Sequence, residues 1–222
     1  MKQALLLLVV FLSVLSCQKK MEKPSYQQPG INTLSRSIIS NRRGVPGEAT
    51  CGQLRTQSPG GWGTQPQGNN PGTYLYANFD NAFPSGLTVG CSPDYNLTLN
   101  SASAVSDFLP SGGKAQALTM NYIDPTGLKN VLAGHLVALT ISVAFDDSDV
   151  TFGEAGITLG AMNIKDGAFE GWNVYDFLIE ANQVLGGCSQ QFTVQQVLET
   201  ASKINENYVD GKTDKEYLVC PN

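Results

Sequence analysis

An acidic cluster late in the chain contains the residue types that bind metal ions or transfer protons. Phe145 is followed by Asp146, Asp147 and Asp149, and Glu154 lies a little further on. Carboxylate oxygens at alternating positions suit Ca²⁺, and two carboxylates facing a sugar can hydrolyse a glycosidic bond. The cluster lacks the glycine and the terminal glutamate of an EF-hand loop. It therefore leaves two interpretations, a calcium site on these three aspartates or a solvated acidic turn.

The groups needed for nucleophilic catalysis are scarce. A hydroxyl or thiol nucleophile needs a neighbouring base, and the only histidine of the chain, His135, lies inside an apolar run. That position favours a core histidine held by a hydrogen bond over a catalytic one. The sequence contains no nucleophile elbow, Walker loop or dinucleotide-binding glycine motif. We therefore predict no catalytic residue and no cofactor, with a carbohydrate-active hydrolase as the alternative.

The first 16 residues have the pattern of an export signal. Lys2 gives a positive start, about 12 mostly apolar residues follow, and Ser16 is a small residue at the point of cleavage. An apolar run of this length is shorter than the roughly 20 residues that cross a bilayer as a helix. Residues 1–16 are therefore predicted to be a secretory signal peptide and not a transmembrane helix.

The residues around Cys17 make this signal more specific. Val14-Leu15-Ser16-Cys17 resembles the lipobox of bacterial lipoproteins, although Leu15 is larger than the usual residue there. The resemblance implies that the Cys17 thiol is diacylglycerated, that the chain is cut before it and that the new amino terminus is acylated. Several acyl chains would make a stable anchor, so the lipid bilayer is the predicted partner of Cys17. The alternative is ordinary cleavage after Ser16 with an unmodified cysteine.

The residues directly after Cys17 bear on the side of the membrane. Gln18-Lys19-Lys20-Met21-Glu22 partly resembles the surface-export signal of Bacteroidetes lipoproteins, in which Cys-Gln-Lys precedes acidic residues. Lys20 and Met21 depart from that pattern. The resemblance implies display on the cell surface of the outer membrane. The alternative is a plain linker, with the periplasmic face as the location.

Charge divides the rest of the chain into two parts. Residues 17–50 carry six basic and two acidic residues, a net charge of +4, and are rich in proline, glycine and polar residues. Residues 51–222 carry seven basic and 17 acidic residues, a net charge of −10. The first part is predicted to be a flexible basic tether suited to an anionic membrane surface. The acidic second part argues against nucleic acid as a partner, because nucleic acid is bound by basic patches.

Four cysteines follow the tether, and an even number of cysteines in an exported chain predicts two disulfides. Four cysteines allow three pairings, and their spacing does not choose among them. A zinc site is disfavoured because none of these cysteines lies close to another along the chain. The four residues are Cys51, Cys91, Cys188 and Cys220.

Residues 51–222 are long enough for one domain with a sizeable core. After Pro71, apolar side chains recur on one helical face until Pro84, and Ser101 can cap a short helix that Pro110 ends. Residues 87–89 and 97–99 are predicted to form two short strands that pair with each other. We predict a single disulfide-stabilised domain that is mainly α with short β-strands, an α+β fold.

The last two helices have the clearest signals. Asn173 precedes a periodic apolar pattern that ends at Gly186-Gly187. Thr193 and Gln196 have the spacing of a capping box at the start of the helix that follows.

Three other segments are harder to assign. Residues 130–145 fit both the apolar face of a helix and the alternation of a strand, and their length and alanine-leucine content favour a buried helix. Residues 157–164 are predicted to supply a short strand. Residues 58–72 are predicted to form an ordered loop anchored by Trp62.

Aromatic side chains could also stack on sugars, although a place in the core or its loops is the competing interpretation. The five candidates are Trp62, Tyr74, Tyr76, Trp172 and Tyr175.

Six segments spread through the domain share a pattern with a known group of proteins. They are TQSPGGWG (56–63), GNNPG (68–72), AFPSGL (82–87), FLPSGG (108–113), LAGHLVAL (132–139) and INENYVDG (204–211). Together they resemble an uncharacterised secreted and surface domain of Bacteroidetes, often found beside adhesive modules. The resemblance covers nearly all of the chain from Cys51 to Cys220. It implies an extracellular location and no established catalytic residues, and it puts a glutamine where this chain has His135.

The sequence as a whole predicts an outer-membrane-anchored lipoprotein with a non-catalytic binding or structural role. Its expected partners are glycans, matrix or another envelope protein. The alternative is an accessory subunit of a larger outer-membrane complex for uptake, secretion or membrane-protein assembly.

Overall fold

The computed structural model describes residues 51–153 and 155–221. The predicted signal peptide, Cys17 and the tether lie outside the described residues, as does Glu154. The described residues form six α-helices and five short strands in two small sheets around one hydrophobic core. The predicted fold class, mainly α with short strands, is confirmed.

The helices and strands alternate irregularly along the chain. The helices are α1 (Pro59–Trp62), α2 (Pro71–Ala82), α3 (Ala102–Phe108), α4 (Val131–Ser148), α5 (Val174–Gly186) and α6 (Val194–Asn207). The strands are β1 (Leu87–Gly90), β2 (Asn96–Leu99), β3 (Tyr122–Ile123), β4 (Asn163–Ile164) and β5 (Leu218–Val219). A short 3₁₀-helix, Leu159–Ala161, precedes β4.

The helices begin where a polar side chain can accept a free backbone N–H of the first turn. The predicted capping box is present, because Thr193 and Gln196 bond to each other's backbone at the start of α6. The predicted end of α5 is also confirmed, because Gly187 has a φ of 91°, a left-handed conformation that suits glycine. The residues that cap the six helices are Ser58, Asn70, Ser101, Asn130, Asn173 and Thr193.

Helix α4 lies at the centre of the core, which confirms the helical interpretation of residues 130–145. It packs against α1, α2, α5, α6, β1 and the 3₁₀-helix. Among the described residues, α4 is the one helix long and apolar enough to cross a membrane, with a mean hydropathy of 1.3, and 67% of it is buried inside the protein. Its apolar character therefore fits its position in the core.

The larger sheet has the order β1-β2-β3. Strands β1 and β2 form the predicted pair, which is antiparallel with Leu87 opposite Leu99, and β3 runs parallel to β2. The leucine and valine side chains of the pair face the core, whereas Thr88 and Thr98 face outward with their hydroxyl oxygens 3.0 Å apart. This alternation follows from the two-residue repeat of a strand.

The carboxyl-terminal part of the described chain pairs both with β4 and with the amino-terminal segment. Strand β5 pairs antiparallel with β4, and Thr56 forms a parallel bridge with Val209. The backbone N–H of Thr56 donates to the carbonyl of Tyr208 at 2.9 Å. Residues near Cys51 therefore pack directly against the segment that leads to Cys220.

Residues 157–164 supply the predicted short strand, which is β4 at Asn163–Ile164, and the 3₁₀-helix Leu159–Ala161 precedes it in the same segment. The backbone N–H of Leu159, at the start of this 3₁₀-helix, donates to a carboxylate oxygen of Asp146 at 2.7 Å. Another sequence prediction was wrong in detail. The predicted loop at residues 58–72 contains α1, because Ser58 caps a helical turn that begins at Pro59.

Candidate functional site

The candidate acidic cluster lies at the carboxyl end of α4, and each of its aspartates bonds to a different part of the fold. Asp146 is only 2% exposed and accepts the N–H of Leu159. Asp147 accepts a hydrogen bond from the hydroxyl of Tyr175 on α5, and that hydroxyl also lies 3.1 Å from Thr158 Oγ1. The first two carboxylates thus connect α4 to the 3₁₀-helix and to α5.

The third carboxylate connects α4 to α2. The Tyr74 hydroxyl donates to Asp149 at 2.5 Å, and Thr151 donates to the same aspartate through its backbone N–H and its hydroxyl, at 2.8 and 2.7 Å. The hydrogen bond from Tyr74 is the main reason that the pKa of Asp149 is lowered, so this carboxylate stays ionised near neutral pH. The cluster therefore holds three elements together around the end of α4.

Both tyrosines of this cluster have a raised pKa. Burial is the largest cause for Tyr74 and for Tyr175, and the neighbouring aspartate adds to it in each case. A phenol whose pKa is raised keeps its proton near neutral pH and acts as a hydrogen-bond donor. The two tyrosine-aspartate pairs are therefore permanent donor-acceptor pairs at neutral pH.

The predicted calcium ligands do not form a compact cluster. Within residues 51–153 and 155–221, the one group of three or more cysteine, histidine or acidic residues whose possible ligand atoms all lie within 4.8 Å of one another is Cys91, Asp94 and Cys188. Cys91 and Cys188 form a disulfide, and oxidised sulfur lacks the thiolate that binds a metal ion. The structure therefore does not bring Asp146, Asp147 and Asp149 together as a ligand set.

The aromatic candidates for sugar stacking lie mainly in the core. Trp62 is fully buried and donates its indole N–H to Ser142 at 3.2 Å, and Trp172 is 6% exposed. Tyr74 and Tyr175 are half-buried and bound to aspartates, as described. Tyr76 is 39% exposed, with its hydroxyl 3.0 Å from that of Ser106. Of the five candidates, Tyr76 alone presents a substantially open ring.

The single histidine takes part in helix packing, as its position in the sequence predicts. His135 is half-buried on α4, where Asn205 of α6 donates to its carbonyl at 2.9 Å and lies 3.4 Å from its Nδ1. Burial lowers the pKa of His135, and the nearby Glu206 partly opposes that shift. The imidazole is therefore mainly neutral near pH 7.

Glu180 is a buried charged residue that was not predicted from the sequence. It is only 1% exposed on α5 and accepts a hydrogen bond from the hydroxyl of Ser189 at 2.5 Å. Burial raises its pKa, which the bond from Ser189 partly opposes. The signal was present in the sequence, because Glu180 follows Phe177 by three residues and precedes Val184 by four, on the apolar face of α5.

The four later cysteines form two disulfides, as predicted. Cys51 pairs with Cys220 and Cys91 with Cys188, with Cα atoms 5.9 and 6.4 Å apart, a separation typical of such bridges. The first bridge joins the two ends of the described chain. The second joins the β1-β2 turn to the second residue after the end of α5.

An open groove of about 410 Å³ lies beside the Cys51–Cys220 bridge. We call it the bridge groove. Its floor is formed by Met162, Tyr208 and Leu218. Its polar lining is formed by Lys165, Asp214 and Glu216. The bridge groove therefore combines an apolar floor with two carboxylates and one ammonium group.

A second surface feature lies along the β2-β3 side of the larger sheet. Tyr95, Met120 and Ile123 are 41%, 55% and 71% exposed. They lie on two chain segments that run side by side, residues 95–98 and residues 120–123. The N–H of Asn96 donates to the side chain of Asn121 at 2.9 Å, and Ile123 pairs with Thr98. We call these three side chains the sheet-edge patch.

Comparison with protein-family models, curated protein sequences and solved structures found no match to this chain. The resemblance to a secreted domain of Bacteroidetes therefore stays a prediction. The functional interpretation depends on the residues of this chain and on the geometry that they form.

Proposed function

We propose that this chain is an outer-membrane lipoprotein whose domain has a non-catalytic binding or structural role at the cell surface. Residues 1–16 direct export, Cys17 carries the acyl chains and residues 17–50 connect it to the domain. The observation that carries the proposal is Val14-Leu15-Ser16-Cys17 at the end of a short apolar run. The two disulfides support it, because such bridges form and persist in exported proteins.

The geometry of the acidic cluster supports a non-catalytic role. A glycosidase needs two carboxylates that face a sugar across a cleft, one of them able to give up a proton. Here Asp147 and Asp149 accept hydrogen bonds from tyrosines and Asp146 accepts one from the backbone. These contacts connect structural elements, so they favour a structural role for the cluster over the hydrolase alternative.

The tether limits how far the domain reaches from the membrane. Its roughly 34 residues span at most about 110–120 Å when fully extended. A protein anchored in this way can contact a partner in the same membrane or at the edge of the surface layer. This reach fits a binder of glycans, of matrix or of another envelope protein.

The anchor is tested by metabolic labelling with a palmitate analogue, followed by membrane fractionation. We expect the wild type to incorporate label and fractionate with the outer membrane, and Cys17→Ser to lose both properties. The matched control is Cys51→Ser with Cys220→Ser, which removes two cysteines and leaves Cys17. Label that persists in Cys17→Ser would contradict the lipoprotein assignment.

The location is tested by adding protease to intact cells. We expect the domain to be removed from the cell surface while a periplasmic marker protein stays intact. Protection of the domain until the outer membrane is opened would place it on the periplasmic face instead.

The sheet-edge patch favours a second candidate function, that of an accessory subunit in a larger outer-membrane complex. Exposed apolar side chains that lie together often mark a surface covered by a partner. Ile123 is the most exposed of the three at 71%, so covering it would remove the most apolar surface from water. The subunit and the free binder share the anchor and differ in whether this patch is buried in the cell.

The two candidates are distinguished by purification from gently solubilised membranes. A subunit should bring a stoichiometric envelope protein with it, and Ile123→Asp should remove that partner. The control is Val150→Asp, which places the same charge at another exposed apolar residue, 67% exposed and remote in sequence from the patch. A lone protein, or equal loss of the partner in both variants, would refute the subunit candidate.

A further inference from the structure

The bridge groove lies where the tether meets the domain. Cys51 lines the groove together with Gly52, and Cys51 is the first residue after the tether. The segment that precedes it therefore starts at the groove itself.

Residues 42–46 of the tether have a composition that matches the groove. They read Arg42-Arg43-Gly44-Val45-Pro46, two cations followed by an apolar pair. The groove offers the complementary groups, namely the apolar floor of Met162, Tyr208 and Leu218 and the carboxylates of Asp214 and Glu216. An apolar pair can cover the floor while the guanidinium groups stay near the carboxylates.

The carboxylates of Asp214 and Glu216 can each bind a further cationic group. Glu216 pairs with Lys165 at 3.8 Å, and the two side chains are 81% and 50% exposed, so this ion pair is long and open to solvent. Asp214 accepts hydrogen bonds from Asn207 and from the backbone of Glu216, at 3.1 and 2.8 Å, both through Oδ1. Arginine suits such a site because its planar group can bond to a carboxylate through two nitrogens.

Because residues 42–46 are covalently connected to the domain, weak contacts are sufficient to keep them in the bridge groove. Pro46 lies five residues before Cys51 and Arg42 lies nine before it, so when fully extended they reach at most about 18 Å and about 32 Å from Cys51. A short connection gives an effective concentration in the millimolar range. If the intrinsic dissociation constant is tenfold below that concentration, about 90% of the molecules have the groove occupied.

We propose that residues 42–46 bind in the bridge groove of the same molecule. The binding holds the first part of the tether against the domain and shortens the length that is free to extend from the membrane. Loss of the contact releases this length, so the bound and released forms differ in reach. The contact itself does not depend on the acyl anchor, and only its effect on reach depends on the proposed function.

The test is hydrogen–deuterium exchange on the full chain as purified after export, whatever its amino-terminal modification. A free peptide of residues 36–50 supplies the unprotected rate. We expect residues 42–50 of the protein to exchange about tenfold more slowly than the peptide, because about 90% occupancy leaves about a tenth of the molecules open. Raising the salt concentration should reduce this protection, because the charges are exposed and screened.

Two variants separate the contact from general charge effects. Arg42→Glu with Arg43→Glu should abolish the protection, and so should Glu216→Lys, which alters only the groove. The matched control, Lys19→Glu with Lys20→Glu, makes the same change in net charge at the far end of the tether and should keep the protection. Membrane fractionation of Cys17→Ser tests the anchor separately, so either idea can fail alone.

Three results would overturn the proposal. Residues 42–50 could exchange at the peptide rate in the wild type, or the control could lose protection as fully as the Arg42 and Arg43 variant. Protection that rises with protein concentration would assign the groove to the tether of a second copy.

Discussion

Breaking the Cys51–Cys220 bridge tests how the two ends of the domain are held. The change is Cys51→Ser with Cys220→Ser. The bridge closes a loop with a sequence separation of 169 residues, whereas Cys91–Cys188 closes one of 97. In the chain-entropy model these loops correspond to about 5.2 and 4.7 kcal/mol of stabilisation, so removing the longer bridge should lower the free energy of unfolding by up to about 5 kcal/mol.

The assay is equilibrium unfolding in urea, measured by the fluorescence of the buried Trp62 and Trp172. The matched variant is Cys91→Ala with Cys188→Ala, because Cys91 is only 7% exposed and a serine there would bury an additional hydroxyl. We expect the two variants to lose similar amounts of free energy, since the logarithm of loop length differs little. Each loss should disappear when both wild type and variant are compared under reducing conditions.

Two outcomes would refute this reasoning. A loss below about 1 kcal/mol for the Cys51 and Cys220 variant would mean that the bridge does not restrict the unfolded chain as the model requires. A much larger loss for the shorter bridge would show that local packing around Cys91, and not loop length, determines the contribution.

The remaining predictions concern the titratable contacts. Tyr175→Phe removes the donor to Asp147 and should lower the free energy of unfolding by about 1.5–3 kcal/mol, so an unchanged urea midpoint would contradict it. Because the pKa of folded His135 lies below its ordinary 6.5, the wild type should lose stability as pH falls from about 7 to about 5, and His135→Gln should lose less over that interval. The pKa of folded Glu180 lies above its ordinary 4.5, so its ionisation opposes folding as pH rises from about 4.5 through the pKa of the folded state. Glu180→Gln should flatten this decline in urea titrations made at successive pH values, and an unaltered slope would count against it.

Helix boundaries were predictable because their signals are local. A capping side chain and the N–H that it accepts lie two or three residues apart, as at Ser101 and Thr193, so the sequence records both partners together. Helix α4 required more, because its apolar pattern fits two structures, and its length decided between them. The four-residue α1 was missed, since so short a helix shows no periodicity.

Pairings between distant residues were not predictable. The partners in the Tyr175-Asp147 and Tyr74-Asp149 pairs lie 28 and 75 residues apart, and no local pattern connects them. The pairing of the cysteines was unpredictable for the same reason. Four cysteines allow three pairings, and the packing of the whole chain selects one of them. The aspartates were identified as a group from their spacing in the sequence. At the end of α4, however, their side chains contact three different parts of the fold.

The Cys51–Cys220 bridge also determines how the domain bears mechanical force. If the domain is anchored through residues before Cys51, a partner that pulls on it loads the protein at that point. The bridge divides the tension between both chain ends, and the adjoining β4-β5 ladder and the Thr56–Val209 bridge share the load. The amino-terminal segment therefore cannot peel away alone, because the bridge requires the end of the chain beyond β5 to move with it.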